Sequence, residues 1–355
     1  MSGPSAPPER AFHNVFAARS IHHHNFGICV SRAAQKGLSI RAAMVYNAIS
    51  NTAARQCAAP ACEGRISMAK FVITGFADEA SSCLDDQIVA LKALGISHIE
   101  PRNVDGKNIS SLTADEARAM KQKLDAAGIT VSSIGSPIGK IDIADDMDAH
   151  IELLKNTIEV ARILGARYIR MFSFFVPAGH EDEYEAEVFS RMERMLAAAR
   201  GTGVQLVHEN EKAIYGDSVD RCVKLMKRFA PELGFVFDPS NFVQCEQDTR
   251  YGFEQLHSYI TYMHMKDSKY AQSAEKEHRD MGFEGVSDAH RPVGQGDGNV
   301  SWIIDRLIEA GYEGFMSIEP HLTNCALVPG TPTDKFNAAA RALIGLIESK
   351  GQTWQ

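Results

Sequence analysis

The chain has 355 residues, 45% of them hydrophobic and 23% charged, which is typical of a folded globular protein with a large core. No segment approaches the roughly 18 consecutive apolar residues that a membrane span needs. The net charge of −8 argues against a nucleic-acid-binding face, which needs clustered Lys and Arg. Seven cysteines without a CxxC pair form neither a disulfide framework nor a zinc knuckle. We therefore expect a cytoplasmic protein that binds neither membrane nor nucleic acid.

The first 67 residues differ from the rest in charge, with seven Lys/Arg against two acidic residues. They show no sustained helical or strand period, so we expect an unstructured or loosely ordered extension over 1–67, without a role in function, and one domain over 68–355. Met68 directly precedes the first predicted strand and is a candidate for the true start. The Arg-rich, acid-poor composition also resembles an organelle transit peptide. We interpret His22, His23 and His24 as incidental rather than as a metal site.

From Met68 onward, strand patterns alternate with amphipathic helix patterns. Strands are predicted at 71–76, 96–100, 129–134, 168–172, 204–208, 234–237, 260–263 and 315–318. Helices are predicted at 82–94, 113–128, 147–164, 183–199, 219–229, 252–259, 300–310 and 335–349. The stretch 266–299 is charged, Gly-rich and without a period, as expected of a functional loop. Eight such units predict an α/β fold, the (β/α)8 TIM barrel. A doubly wound sheet is the alternative, but no G-x-G-x-x-G follows the first strand.

Polar side chains end the last four predicted strands: Glu209, Asp238, His264 and Glu319. The carboxyl ends of barrel strands meet in one ring, so these four side chains should converge. Each alone could be a solvated loop acid or a buried core histidine. Together, three carboxylates and one imidazole predict a site for one divalent ion, Mn²⁺ or Mg²⁺ first, with Co²⁺ or Zn²⁺ as alternatives.

A divalent ion bound to the adjacent oxygens of a sugar stabilises the enediolate that forms when a proton leaves the α-carbon. Glu209 and Glu319 lie well apart by strand order, so each could move a proton on one face of the substrate. This arrangement predicts an isomerase or epimerase that acts on a sugar or keto-polyol.

Other polar residues near strand ends are candidate substrate ligands. Glu100 and Arg102 could bind sugar hydroxyls, or form a surface ion pair instead. Lys140 could donate a proton or anchor a carboxylate, against the alternative of a solvated loop lysine. Arg291 could reach a substrate anion or hydroxyl. His321 would share the face of Glu319 if the strand continues to it.

Two further residues have structural interpretations. Arg170 lies within a strand, and if it points into the barrel it needs an acidic partner. His208 precedes Glu209 and so points to the other side of its strand, where packing under a helix is expected.

Five short segments of the chain carry a family resemblance: His208–Glu211, Phe237–Asn241, His264–Asp267, Gly294–Gly298 and Ile318–His321. In their order and spacing they resemble the sugar phosphate isomerase/epimerase family of xylose isomerase-like TIM barrels, and the resemblance covers about Phe71 to Leu346. The resemblance implies that Glu209, Asp238, His264 and Glu319 bind the metal and that the two glutamates form the acid/base pair. It is also compatible with a homodimer or homotetramer. Where ketohexose 3-epimerases have a histidine three residues after the strand-six Asp, this chain has Asn241, whose amide can still bind a hydroxyl.

Three other functions remain open. A lyase of the inosose dehydratase type on the same barrel begins with the same proton removal and differs in what leaves. An AP endonuclease would need more histidine ligands and a basic groove, which an acidic chain with one four-ligand set does not offer. A non-enzymatic binding module would have one of the four ligands turned away.

Overall fold

The structure is a computed structural model that describes residues 69–282 and 289–355. The predicted extension over 1–67, with His22, His23 and His24, and the candidate start at Met68 lie outside these ranges. Within them, every helix is too short or too polar to cross a membrane.

Eight parallel strands form a closed ring. Seven of them join in one sheet, in which the first strand pairs with the last. The second strand pairs with the first half of the third, and the Glu100 N–H just beyond it donates to Gly75 O at 3.0 Å. The ring is therefore complete, and the predicted TIM barrel is confirmed. The strands are β1 (Lys70–Gly75), β2 (His98–Ile99), β3 (Thr130–Val131 and Ser133–Ile134), β4 (Tyr168–Met171), β5 (Gln205–Glu209), β6 (Gly234–Phe237), β7 (Ile260–Met265) and β8 (Glu313–Ile318).

Ten α-helices lie in the described ranges, and eight of them match predicted helices. Their ends follow local chemistry: a capping box between Thr113 and Glu116 opens the second, and Gly128 closes it with a φ of 71°. The helices are α1 (Leu84–Ala93), α2 (Ala114–Ala127), α3 (Met147–Leu164), α4 (Glu181–Ala199), α5 (Val219–Phe229), α6 (Pro239–Gln244), α7 (Thr249–Leu256), α8 (Ala271–Asp280), α9 (Val300–Glu309) and α10 (Pro332–Ser349).

The prediction that the stretch 266–299 has no regular structure was partly wrong. It contains α8 and an antiparallel pair in which Asp267–Ser268 meets His290–Arg291. The helix α6 was also missed, because six residues are too few to show a helical period. It begins directly after Asp238, which caps it by accepting the Asn241 N–H. These elements build the side of the barrel on which the strands end.

Alternation along the strands points one set of side chains into the barrel. Val207, Val236 and Tyr262 are fully buried and form a small cluster of their own, apart from the main core between strands and helices. Tyr168 and Phe315 pack against it. Because a strand repeats every two residues, the next inward positions lie one step closer to the strand ends. Polar side chains occupy those positions.

Candidate functional site

The four predicted metal ligands converge at the strand ends. Glu209, Asp238 and His264 each follow an inward-facing cluster residue by two positions, and Glu319 follows Phe315 by four. Each offers one oxygen or nitrogen atom, and these atoms lie within 4.8 Å of one another. All four side chains are buried.

His264 lies at the centre of this cluster. Its Nδ1 atom is 3.0 Å from Glu209 Oε1 and 3.1 Å from Glu319 Oε2. The two glutamates were expected to lie well apart, since three steps around the ring separate their strands. Their carboxylates instead meet at the same ring nitrogen, because both side chains extend inward from the barrel wall.

The cluster fits a divalent ion. Ligand atoms that share one ion lie at most about 4.2 Å apart, since each sits about 2.1 Å from it, so the present spacing needs only a small contraction. The second nitrogen of His264, Nε2, lies 3.3 Å from Glu100 Oε2. A carboxylate on the far nitrogen fixes the ring orientation and leaves Nδ1 for a metal. Glu100 is fully buried, and its partners include this ring and the hydroxyl group of Tyr262.

Lys266 is a site residue that the sequence reasoning did not assign. It is 2% exposed, and its Nζ lies 2.8 Å from Asp238 Oδ2 and 3.3 Å from Glu319 Oε2. Burial alone would lower the pKa of Lys266, but Asp238 and Glu319 raise it well above its ordinary value. The side chain is therefore an ammonium ion and not an amine nucleophile. Its position two residues after His264, on the same strand face, was the signal that could have found it.

Arg170 has the acidic partners that its position predicted. Its Nη1 is 3.2 Å from Glu209 Oε2 and 3.8 Å from Glu319 Oε1. Its Nη2 donates to the carbonyl oxygens of Gly135 and Ser136 at 3.2 and 3.3 Å. The guanidinium also lies 4.9 Å from the ring centres of both Phe76 and Phe172. These carbonyl and ring contacts fix the guanidinium of Arg170 in position beside the two glutamates.

Burial and the neighbouring cations have opposite effects on the pKa values of the three carboxyl groups in the cluster. Burial alone would raise the pKa of Glu209, but His264 and Arg170 lower it to about 2. Burial would likewise raise the pKa of Glu319, which Lys266 and His264 hold well below its ordinary value. For Asp238, burial prevails over Lys266 and raises the pKa to about 7. Both predicted acid/base glutamates are therefore ionised at neutral pH.

Asn241 lies in the cluster as well. Its Nδ2 donates to Glu209 Oε1 at 3.1 Å and to Asn210 O at 2.9 Å. Its buried Oδ1 accepts no hydrogen bond from the described residues, so it can accept one from a hydroxyl group. His208 points away from the site, as predicted, and its Nε2 lies 3.0 Å from Ser173 Oγ.

Ion pairs surround the cluster on its solvent side. Arg102 donates to Asp78 from two nitrogens at 2.9 and 3.2 Å and lies 3.4 Å from Glu79. Lys140 lies 2.9 Å from Glu211. The alternatives weighed for these two residues were a surface ion pair and a solvated lysine. Arg102 does form ion pairs, but it is only about one-fifth exposed, and Lys140 is about one-third exposed and paired with an acid.

Two further candidate substrate ligands lie in different surroundings. The prediction for His321 assumed that the strand continues to it. The strand ends before it, since His321 has a φ of 49°. The turn nevertheless brings its Nε2 to 3.3 Å from Glu319 and its Nδ1 to 3.2 Å from Glu79. Burial lowers the pKa of His321, but these two glutamates raise it to about 9. Arg291 is buried, with its Nη2 3.2 Å from Glu277 of α8.

Comparison with known proteins agrees with this architecture. A family model described as xylose isomerase-like TIM barrel matches residues 88–345. No curated protein sequence matches the chain. Among solved structures, a probable 3-DHS dehydratase AsbF from Bacillus anthracis has 16% identity and a TM-score of 0.61, over 78% of this chain and 98% of that one. An IOLI protein with a bound zinc atom has 13% identity and a TM-score of 0.61 over the same shares. A D-tagatose 3-epimerase-like protein has 16% identity and a TM-score of 0.59, over 80% and 98%.

Proposed function

This chain belongs to the xylose isomerase-like TIM barrel family, and on that premise we propose that it is a metal-dependent isomerase or epimerase of a sugar or keto-polyol. The reaction would transfer a proton at the carbon next to a carbonyl group. One observation carries the proposal: Glu209, Asp238, His264 and Glu319 converge at the strand ends with ligand atoms within 4.8 Å of one another.

The same four residues would hold the ion. Three carboxylates and one imidazole favour Mn²⁺ or Mg²⁺, with Co²⁺ or Zn²⁺ as alternatives. A structural neighbour of this barrel contains zinc, which supports a divalent ion without deciding which one. When bound, the ion would supply positive charge next to the oxygens that become negative in an enediolate.

Glu209 and Glu319 are the proposed acid/base pair. Both are ionised because neighbouring cations lower the pKa of each carboxyl, so either can accept a proton. Arg170 contacts both carboxylates and would keep their oxygens in place while the proton moves. Removal of the proton by one glutamate and its return by the other, on the opposite face, would invert the carbon centre.

The remaining candidate residues receive more specific roles. We assign Glu100 to the orientation of His264, since its carboxylate lies at Nε2. Asn241 Oδ1 is the proposed partner of a substrate hydroxyl, and His321 would be a second one after one of its ring nitrogens leaves its glutamate. Lys140 and Arg102 would contact the substrate only from the outer side, because both are already paired with acids. The role of Arg291 as a ligand of a substrate anion or hydroxyl stays a prediction, and its Nη2 lies 3.2 Å from Glu277.

A lyase of the dehydratase type is the second candidate, and His321 favours it. A histidine whose pKa is raised to about 9 is protonated at neutral pH, so it can donate a proton to a departing hydroxyl group. The structural likeness to a probable dehydratase supports this alternative at the level of the fold.

Exchange in D₂O distinguishes the two reactions. The Mn²⁺-loaded protein would be incubated with ketoses and inososes and followed by NMR. Deuterium at the α-carbon of an isomeric product supports the isomerase or epimerase, and loss of water supports the dehydratase. Glu209→Gln and Glu319→Gln should each abolish exchange. Glu313→Gln is the matched control. Glu313 begins β8 and forms an exposed ion pair with Lys70, at the end of the strands opposite the site. Full exchange in both site variants would refute the acid/base assignment.

The cytoplasmic location and a homodimer or homotetramer remain part of this proposal.

A further inference from the structure

We infer that the substrate of this site is an uncharged polyhydroxy ketone, and not a sugar phosphate or a keto acid. This inference rests on the proposed function and narrows its substrate class. Recognition of a phosphate or carboxylate group needs cations or backbone N–H groups that the protein does not already use. Three features of the described residues bear on whether such groups are present.

The first feature is the pairing of the cations on the solvent side of the site. Arg102 directs three nitrogens at acidic oxygens of Asp78, Glu79 and Glu319, at distances between 2.9 and 3.5 Å. Lys140 is committed to Glu211 at 2.9 Å. An anionic substrate would have to displace one of these carboxylates and would gain little, because the protein's own acid already fills the same role.

His321 and Lys212 also belong to this outer set, and Arg291, a predicted anion ligand, lies 3.2 Å from Glu277. His321 lies between Glu79 and Glu319, with ring nitrogens 3.2 and 3.3 Å from their carboxylates. Lys212 shares Glu211 at 3.6 Å, donates to Gln244, and has a side chain that is 59% exposed, so solvent screens its charge. Of the residues outside the described ranges, 283–288 carry neither Lys nor Arg, and 1–68 carry seven.

The second feature is the formal charge of the buried set. Four carboxylates (Glu100, Glu209, Asp238 and Glu319) surround two permanent cations, Arg170 and Lys266. With all four acids ionised and His264 uncharged, the formal net charge is −2, which one divalent ion would neutralise. The set has no excess positive charge with which to offset a substrate anion.

The third feature is a backbone anion site that the protein fills itself. TIM barrels often bind phosphate at the loops after the seventh and eighth strands. Here, after β7, the N–H groups of Gly294, Gly296 and Gly298 all donate to the carboxylate of Asp267, at 2.9, 2.9 and 3.0 Å. Ser268 N–H adds a fourth hydrogen bond at 3.0 Å. A side chain occupies the place where an external anion would bind.

The glycine backbone approaches the Asp267 carboxylate so closely that no side chain would fit between them. A Cβ atom on Gly296 would lie 2.1 Å from Asp267 Oδ1, and one on Gly298 would lie 2.7 Å from it. A substrate phosphate could bind these N–H groups only after Asp267 left them.

Calorimetry with a matched pair of ligands tests the inference. D-fructose and D-fructose 6-phosphate differ by one dianionic group, and each would be titrated into the full-length Mn²⁺-loaded protein at low and high salt. We expect the neutral ketose to bind at least about 10-fold more tightly, with a Kd that changes less than about 2-fold with salt. Tighter binding of the phosphate ester, with a Kd that rises steeply with salt, would overturn the inference.

A charge-releasing variant makes the test sharper. Glu211→Gln leaves Lys140 without its acid, so the preference for the neutral ligand should fall several-fold. Glu313→Gln breaks a similar Lys–Glu pair on exposed surface at the opposite end of the strands and should leave the preference unchanged. An equal change in both variants would contradict the role given to the Lys140–Glu211 pair.

The same ligands separate this inference from the proposed function. If the phosphate ester binds more tightly and exchanges its α-proton in D₂O, the inference fails and the proposed function stands. If neither ligand binds or exchanges and the neutral inososes also fail, both are refuted.

Discussion

Glu100 offers a quantitative test of the metal site, because it touches a proposed ligand without being one. Its carboxylate is fully buried, with Oε2 3.3 Å and Oε1 3.4 Å from His264 Nε2. Phe76 and Tyr262 pack edge-on against the same imidazole, with ring centres 5.2 and 5.8 Å away. These apolar contacts limit the position of the ring, while Glu100 fixes its rotation and its tautomer.

Replacement of Glu100 should therefore weaken metal binding while the barrel stays folded. Loss of such a partner typically costs about 10–100-fold in affinity, or about 1.4–2.7 kcal/mol. We expect Glu100→Gln, which can still accept a hydrogen bond, near the lower limit. Glu100→Leu, which cannot, should lie near the upper limit. Competition with a fluorescent chelator for Mn²⁺ and Zn²⁺ measures the affinity, and circular dichroism checks the fold.

Glu211→Gln is the matched control for this experiment. Glu211 is another largely buried acid near the site, but its observed partners are Lys140 and Lys212 and not a proposed ligand. We expect its metal affinity to stay within about 3-fold of the wild type, since only a longer-range charge is lost. The reasoning is refuted if folded Glu100→Leu binds metal as tightly as the wild type, or if Glu211→Gln weakens binding equally.

Three further predictions concern stability. Burial and Arg191 lower the pKa of His150, whose ring accepts the Gly139 N–H at 2.8 Å, so the unfolded chain binds the extra proton first. The free energy of unfolding should then fall by up to about 1.4 kcal/mol per pH unit below pH 6.5, and His150→Gln should remove that part of the slope in urea titrations. Gly139→Ala should cost at least about 2 kcal/mol, since its Cβ would lie 2.0 Å from Phe172 O at a φ of 86°, whereas Gly128→Ala, with open space around it, should cost only about 1 kcal/mol; equal losses would contradict this difference. At an ion concentration 100 times Kd, a bound metal adds about 2.7 kcal/mol to the free energy of unfolding. Its removal by a chelator should therefore lower Tm, and an unchanged Tm would contradict a bound ion.

The barrel was predictable because its longer elements carry their own signals. The predicted bounds of α3 and α5 agree with the structure, since Gly165 ends the first with a φ of 77° and Ser218 caps the second. The elements that were missed have weaker signals. The helix α6 is too short to show a period, and α8 is mostly polar, with Ala274 and His278 as its buried residues. Tertiary packing, not a local pattern, fixes such segments.

The convergence of the four proposed ligands was predictable for the same reason, because a period of two and the topology of the barrel together determine which strand-end side chains meet. Partner choice was not predictable. Lys266 belongs to a segment that carried the family resemblance, but its contact with Asp238 depends on how deeply the side chain is buried. The pairing of Arg102 with Asp78 joins the ends of β1 and β2, whose relative position only the folded chain defines.

The most direct test of the central claim is a crystal structure of the Mn²⁺-soaked protein with anomalous diffraction at the manganese edge. We predict one strong peak about 2.0–2.3 Å from Glu209, Asp238, His264 Nδ1 and Glu319 together. A peak elsewhere, or a fully soaked crystal without density among these four side chains, would contradict the proposed metal centre and the proton transfer that depends on it.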